Sequence, residues 1–294
     1  MQFVLFCLLY PILYLISILP FRLLYLFSDF VFFLVYHVFG YRKKVVRTNL
    51  ALALPHLSEK ERLDIEKKSY QHLCDMFLEM MKTMTISTKE IQKRFVFTNL
   101  EMVKELEKKQ KSIALMCAHY ASYEWVISMN GQINYQGYAI YKKVNNKYFD
   151  DLVKKIRSRF KAYLITTRET RAVIENNERN GNHAIYGFAS DQSPQIRPKT
   201  YWSKFMGIEV PVYVGAELIS KKYDMSVVFL KVEKVKRGHY EAKLELLSDD
   251  VKSVPDFEIT EIFNRKVEAQ ILEKPEYYLW THKRWKHMGK KKTN

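Results

Sequence analysis

Residues 3–19 contain no charged side chain, and a second apolar run over 23–39 is interrupted by Asp29 and His37. Such surface must be covered either by hydrocarbon or by a protein core. The first run lies at the short end of the about 17–25 residues that span a bilayer, so a single span, a tilted hairpin and a half-buried helix pair all fit its length. Pro20 and Arg22 divide the two runs. A buried core pair is the competing reading, but two nearly continuous apolar runs at one terminus rarely belong to a soluble core. A cleaved signal peptide fits poorly, because Met1-Gln2-Phe3 offers no positive n-region and no small-residue cleavage site follows. Residues 1–41 therefore read as an N-terminal membrane-anchoring helical segment and residues 42–294 as a single domain, with no Gly/Ser/Pro-rich linker or internal repeat to divide it.

The charge pattern orients this anchor. Only Arg22 and Asp29 are charged before Tyr41-Arg42-Lys43-Lys44, so the formal net charge of +16 lies entirely downstream, and the positive-inside rule puts the bulk of the chain on the cytoplasmic face. Cys7, Cys74 and Cys117 are odd in number, follow no metal-ligand spacing and fit reduced thiols; no metal is expected. A basic domain at a membrane can meet anionic lipid, an acidic carrier protein or nucleic acid. The densest patch, His282-Lys283-Arg284-Trp285-Lys286-His287, mixes tryptophan with lysine as interfacial segments do, so Arg42, Lys43, Lys44 and Trp285 are expected at the lipid interface. Nucleic acid is not expected as a partner, since there is no RNP-like run, zinc knuckle or heptad zipper.

The chemistry-bearing stretch is Ala118-His119-Tyr120-Ala121-Ser122-Tyr123-Glu124-Trp125. Before it, Ser112-Ile113-Ala114-Leu115-Met116-Cys117 has buried-strand character, and after it the sequence reads as a helix with Ser122 as N-cap. His119 then falls on the connecting loop. Positions i and i+5 diverge on a continuous helix, but a break lets Glu124 fold back and orient the imidazole, leaving the other nitrogen free to take a proton from a hydroxyl. A lone histidine beside an apolar run is more often a structural residue, and Cys117 with His119 makes a third arrangement, a thiol–imidazole pair, of poorer geometry.

Elsewhere helices and strands alternate. Residues 58–84 read as a helix opening on the capping box Ser58-Glu59-Lys60-Glu61. Strands are expected at 95–97, 138–141, 183–189, 225–232 and 240–246, the first two flanking the His119 element, and helices at 150–160 and 260–272. The fold class is therefore α/β, a mainly parallel mixed sheet flanked by helices, whose sites lie at the carboxyl ends of strands. His119 and Asp191 both fall there.

Taken in order, these residues resemble the bacterial lipid A biosynthesis (late) acyltransferases of the lauroyl and myristoyl type, within the wider lysophospholipid acyltransferase group. The resemblance runs from the anchor through Arg47-Thr48-Asn49-Leu50, His119 with Glu124, Tyr141-Lys142-Lys143-Val144-Asn145-Asn146, Arg157-Ser158-Arg159 and Asp191-Gln192. It ends on an aromatic and basic helix, Pro275-Glu276-Tyr277-Tyr278-Leu279-Trp280-Thr281-His282-Lys283-Arg284-Trp285-Lys286. It implies a glycerolipid-acyltransferase-like fold and an acyltransferase of groups other than aminoacyl groups. The implied reaction is O-acyl transfer from an acyl carrier protein thioester, with acyl-CoA as a second donor and no bound cofactor, to a hydroxyl of a lipid A precursor. It further implies the bacterial inner membrane, His119 as general base oriented by Glu124, and Arg157, Arg159, Asp191 and Gln192 as substrate-binding residues. The segment 192–206 departs from the familiar members by lacking glycine-rich spacing after the Asp-Gln pair. Acylation of another membrane glycolipid or aminolipid, or a non-catalytic membrane adaptor, are the alternatives.

Overall fold

The computed structural model describes residues 2–291. Its helices are α1 (Gln2–Ile18), α2 (Phe21–Phe32), α3 (Lys43–Ala53), α4 (Glu59–Lys82), α5 (Thr88–Arg94), α6 (Glu101–Lys108), α7 (Lys147–Ser158), α8 (Thr170–Arg179), α9 (Gly215–Tyr223) and α10 (Glu258–Glu273). The strands are β1 (Phe95–Phe97), β2 (Ile113–Cys117), β3 (Gln136–Tyr141), β4 (Ala162–Thr166), β5 (Ala184–Ala189), β6 (Trp202–Phe205), β7 (Ile208–Pro211), β8 (Ser226–Lys236) and β9 (His239–Ser248). Seven strands form one sheet in the order β1-β9-β8-β2-β5-β3-β4, and β6 and β7 make a separate antiparallel ribbon. Every neighbouring pair in the main sheet is parallel except the β8–β9 hairpin.

The parallel centre explains the sequence of β2. A strand covered by helices on both faces reads as a continuous apolar run, and Ile113, Ala114, Leu115 and Met116 are all buried. The neighbours of β2 are β5 and β8, not the strands at 95–97 and 138–141: β1 pairs with β9, and β3 with β5. Sequence order does not set strand order, because each parallel step needs a crossover that can skip positions in the sheet.

Helix α4 is the spine against which the N-terminal segment rests. Its capping box is formed: Ser58 accepts from the Glu61 N–H, and the Glu61 carboxylate accepts from the Ser58 N–H at 2.7 Å. Helix α2 runs antiparallel to it, held by Tyr25 donating to Glu79 (2.8 Å), Ser28 to Asp75 (2.8 Å) and, beyond α2, Tyr36 to Glu66 (3.1 Å). Arg237 from the β8–β9 hairpin bridges Asp29 and Asp75, each at 2.6 Å. Helix α1 is tied at both ends. Gln2 bonds Asn145 and Asn146 ahead of α7, while Lys82 donates to the Ser17 and Leu19 carbonyls at 2.7 Å each. Its inward residues Phe6, Tyr10, Leu13 and Ser17 follow helical spacing, and Phe3, Leu5, Leu8, Ile12 and Leu15 point outward and exposed.

Among the described residues the C-terminal segment forms no helix beyond a short 3₁₀ turn at Pro275–Tyr277; it crosses the strand ends as a strap of successive turns. Asn49 of α3 clasps it, its Nδ2 donating to the Trp280 and His282 carbonyls at 2.7 Å each. In Asn49→Ala the buried Trp280 carbonyl loses its partner, while the His282 carbonyl keeps the Arg284 N–H at 2.9 Å. At about 1–3 kcal/mol for one buried group left unpaired, that substitution is expected to lower unfolding free energy in urea by about 1–3 kcal/mol.

Candidate active site

The site follows from register. Strands β2 and β5 are paired in parallel with Cys117 opposite Ala189, so two residues further along each chain places His119 beside Asp191 at the carboxyl edge. The loop is locked there. The Ala121 N–H donates to the Tyr277 carbonyl (3.0 Å) and the Leu279 N–H to the His119 carbonyl (3.1 Å), making the strap a short antiparallel partner of the histidine loop. Ala121 adopts φ = +48°, a left-handed conformation that costs a non-glycine residue about 1–2 kcal/mol and that these strap contacts sustain.

His119 Nδ1 lies 2.7 Å from Asp191 Oδ1. The Asp191 carboxylate is 1 % exposed and the His119 side chain 20 % exposed, so one imidazole nitrogen is engaged in the interior and Nε2 is left at the edge with no hydrogen-bond partner among the described residues. Burial pushes the His119 pKa down, but the Asp191 charge, the hydrogen bond to it and the nearby Glu124 outweigh burial and hold it above the ordinary 6.5. Burial likewise pushes Asp191 up, and His119 outweighs it, holding the carboxyl below the ordinary 3.8. The signs differ in their effect on stability. The raised His119 value adds stability below its unfolded pKa that is lost as pH rises through the folded one; the depressed Asp191 value adds stability above its unfolded pKa that is lost as pH falls through the folded one.

Glu124 does not orient His119. The element after the loop is a 3₁₀ helix, Trp125–Gly131, with Glu124 at its cap position, and Ser122 is buried without capping it. That geometry turns Glu124 towards α7, where Oε2 accepts from Arg157 Nη2 at 2.6 Å; the two side chains are 16 % and 17 % exposed. The carboxylate on the imidazole comes instead from Asp191. Cys117 is not part of a nucleophilic pair either: burial, then the Asp191 charge, pushes its thiol up to about 12.

The remaining expected site residues are dispersed. Arg159 caps the end of α4, its two Nη atoms donating to the carbonyls of Thr83 (2.8 Å), Met84 and Ile86 (3.0 Å), so three of its five N–H donors are held by backbone. Gln192 is partly buried and makes no side-chain hydrogen bond among the described residues. Trp285 is not interfacial: it is 4 % exposed, stacks on Trp280 and donates to the Phe205 carbonyl. Arg42 adopts φ = +53° and donates to the Thr281 carbonyl at 3.1 Å, and Lys43 lies over the Tyr36 ring at 3.7 Å. Lys44 joins Lys283 and Lys286 around a cavity of about 420 Å³ between α3 and the strap, which Thr48, Asn49 and Leu52 also line. Sequence reasoning did not foresee that Lys283 and Lys286 share a groove with Lys44; their spacing carries no signal of it.

A parallel-sheet edge bearing a buried Asp–His pair, with a free imidazole nitrogen and a salt-bridged guanidinium close by, is equipped to remove a proton from a hydroxyl and to face a developing oxyanion. Comparison with known proteins identifies the family. Residues 2–287 match the family model for the bacterial lipid A biosynthesis acyltransferases. The chain is 22 % identical to the lipid A biosynthesis palmitoleoyltransferase of Escherichia coli (strain K12), over 83 % of this chain and 79 % of that protein. It is 20 % identical to the lipid A biosynthesis lauroyltransferase of the same strain over the same shares. With the lipid A biosynthesis acyltransferase of Haemophilus influenzae the identity is 24 %, over 80 % of this chain and 72 % of the relative. The chain thus belongs to the bacterial lipid A biosynthesis acyltransferase family and is an acyltransferase.

Proposed function

We propose that this protein transfers a fatty acyl chain from an acyl carrier protein thioester to a hydroxyl of a lipid A precursor, with His119 as general base and Asp191, in place of Glu124, as its orienting carboxylate. The observation that carries the reading is the 2.7 Å contact between His119 Nδ1 and buried Asp191, which leaves Nε2 unpartnered at the sheet edge. Nε2 takes the hydroxyl proton as the oxygen–carbon bond forms. The tetrahedral intermediate then collapses, the carbon–sulfur bond breaks, and the imidazolium returns the proton to the leaving thiolate. No acyl-enzyme is needed. The Arg157 guanidinium, aimed by Glu124, faces the charge that develops on the thioester oxygen, and such donors are worth about 10²–10³-fold in rate.

The membrane reading takes its support from α1 and α2. One stretch, residues 21–38, is long and apolar enough to cross a bilayer, yet it is bonded to α4 at Tyr25, Ser28 and Tyr36 along its length. Helix α1 is tied to the body at both ends and turns Leu5, Leu8, Ile12 and Leu15 outward. Both features favour a pair of helices lying in the cytoplasmic leaflet of the inner membrane, buried side-on, over a free-standing span. At this face Lys44, Lys283 and Lys286 offer three ammonium groups to an anionic glycolipid, and none is salt-bridged among the described residues. With Leu8→Asp/Leu15→Asp, the folded protein is expected to lose at least tenfold in binding to anionic vesicles by flotation; binding unchanged from wild type contradicts side-on insertion.

The reaction is tested with purified protein in detergent, acyl carrier protein thioesters of several chain lengths and a tetra-acylated lipid A precursor, with products read by mass spectrometry. A mass gain of one acyl chain is expected. Transfer to other membrane lipids alone moves the acceptor to a different glycolipid or aminolipid, and absence of any transfer by folded protein makes it an adaptor.

A further inference from the structure

Arg284 is 1 % exposed in the core of the strap. Its guanidinium lies over the Phe205 ring at 4.6 Å, and Nη1 donates to the Pro211 carbonyl at 3.2 Å, but Nε and Nη2 have no partner among the described residues. A buried cation without a counter-charge is among the costliest arrangements a fold can hold. The turn after β5 carries the matching groups: Asp191 Oδ2 and Ser193 Oγ are buried and have no hydrogen-bond partner among the described residues, and the buried Tyr278 phenol of the strap faces Asp191 as well as Arg284. Strap and turn are bonded to each other, the Ser193 N–H donating to His282 Nε2 at 3.2 Å, two residues from each charge. Burial weakens the hold of Arg284 on its proton, and Tyr278 and then the Asp191 carboxylate oppose that loss.

We propose that Arg284 is a positioning residue, the buried counter-charge of Asp191, which keeps that carboxylate ionised and limits how far it raises the basicity of His119. The inference rests on His119 being the base. The charge arrangement around the pair is specific. His119 faces Asp191 from the β5 turn, Glu124 with its partner Arg157 at the start of the 3₁₀ helix, the edge of the Tyr123 ring and, from the strap, His282. Burial holds His282 down at about 4, so near neutral pH it adds no charge. Arg284 faces Tyr278 on its own strap, Tyr213 beyond β7 and Glu268 of α10. Unlike Arg157 on Glu124, Arg284 makes no direct ion pair with Asp191; it acts on the carboxylate through space, across the strap–turn contact at Ser193 and His282.

Removing the positive charge leaves the carboxylate less balanced, so the protonated imidazole gains and neutral His119 appears only at higher pH. In Arg284→Met the low-pH limb of kcat/KM for acyl transfer is expected to move upward by about half to one pH unit, with activity regained at alkaline pH. Arg284→Lys, which keeps the charge, leaves the limb where the wild type has it. A folded Arg284→Met protein with an unmoved limb and only lower amplitude or melting temperature overturns the proposal, because packing alone does not shift a titration. Thermal melts supply the second reading whether or not Arg284→Met folds by itself. Asp191→Asn strands a buried guanidinium and lowers the melting temperature, and adding Arg284→Met to it is expected to restore part of the loss. A double variant that melts no higher than Asp191→Asn, or that fails to fold, overturns the pairing. If the wild type shows no acyl transfer, the reaction itself has failed, while the melting test still judges the Asp191–Arg284 pair.

Discussion

Replacing His119 with glutamine is expected to lower single-turnover acyl transfer by about 10²–10⁴-fold, the usual worth of a positioned general base. Glutamine is the better probe than alanine. Its amide can still donate to Asp191, whereas alanine leaves a buried carboxylate that His119 normally holds below its ordinary pKa. Alanine therefore also removes the stability that the depressed Asp191 supplies at neutral pH, and an activity loss would be mixed with a folding loss. The histidine side chain is 20 % exposed and packs edge-on to Tyr123 at 5.0 Å, so glutamine fits without opening a large cavity. Rapid-quench measurement of acyl transfer at saturating thioester, with circular dichroism to confirm the fold, separates the two effects. A loss of less than tenfold would remove His119 from the chemistry.

The second large effect distinguishes the two carboxylates near His119. Asp191→Asn removes the charge and weakens the hydrogen bond that together hold the imidazole pKa above 6.5, while burial, which pushes it down, stays. The low-pH limb of kcat/KM is thus expected to fall by about one to two units. The rate above the limb falls by about 10²–10⁴-fold, because an amide no longer fixes the tautomer or stabilises the imidazolium. Glu124→Gln behaves differently. It keeps a hydrogen-bonding partner for Arg157 and removes only a more distant charge, so the limb moves down slightly while kcat falls by about 10–100-fold as Arg157 loses its aim. If Glu124→Gln carried the large limb shift and Asp191→Asn left the limb in place, the roles assigned here would be reversed.

The reason sequence spacing points to the wrong carboxylate is itself physical. A histidine and a carboxylate five residues apart suggest a pair whenever the break between them lets the chain fold back. In this chain the break includes a left-handed Ala121 and leads into a 3₁₀ helix, and those two local choices turn Glu124 towards α7. Neither is written in residue type, since alanine carries no preference for positive φ. Asp191 stands 72 residues away and reaches His119 only because β2 and β5 are neighbours in register. The placement of both residues at carboxyl ends of strands was legible; their adjacency was not.

Local chemistry was the most readable layer. The capping box at Ser58 and the long α4 follow from hydrogen-bonding and apolar spacing within a few residues, and β2 follows from its unbroken apolar run. The small helices α6, α8 and α9 and the β6–β7 ribbon went unforeseen. Each is short, and α8 carries a weak apolar stripe that packing, not propensity, makes helical. Trp285 shows a different limit. Tryptophan among lysines and arginines marks an interface in a helix lying on a bilayer, but a strap of successive turns has no continuous helical face, and here Trp280, Trp285 and Arg284 turn inward while Lys283 and Lys286 line the groove. Arg159, three bonds deep in the carbonyls at the end of α4, was indistinguishable in sequence from its neighbour Arg157, whose guanidinium reaches the site.

In the proposed reaction the His119–Asp191 pair moves the proton during acyl transfer to a lipid A precursor. That role is tested most directly by mass spectrometry of the precursor after incubation with acyl carrier protein thioester and wild-type, His119→Gln or Asp191→Asn protein, each confirmed as folded. The expected result is one added acyl chain with the wild type and, at equal enzyme and time, at least a hundredfold less with either variant. Acylated product at wild-type levels from either folded variant would contradict the account.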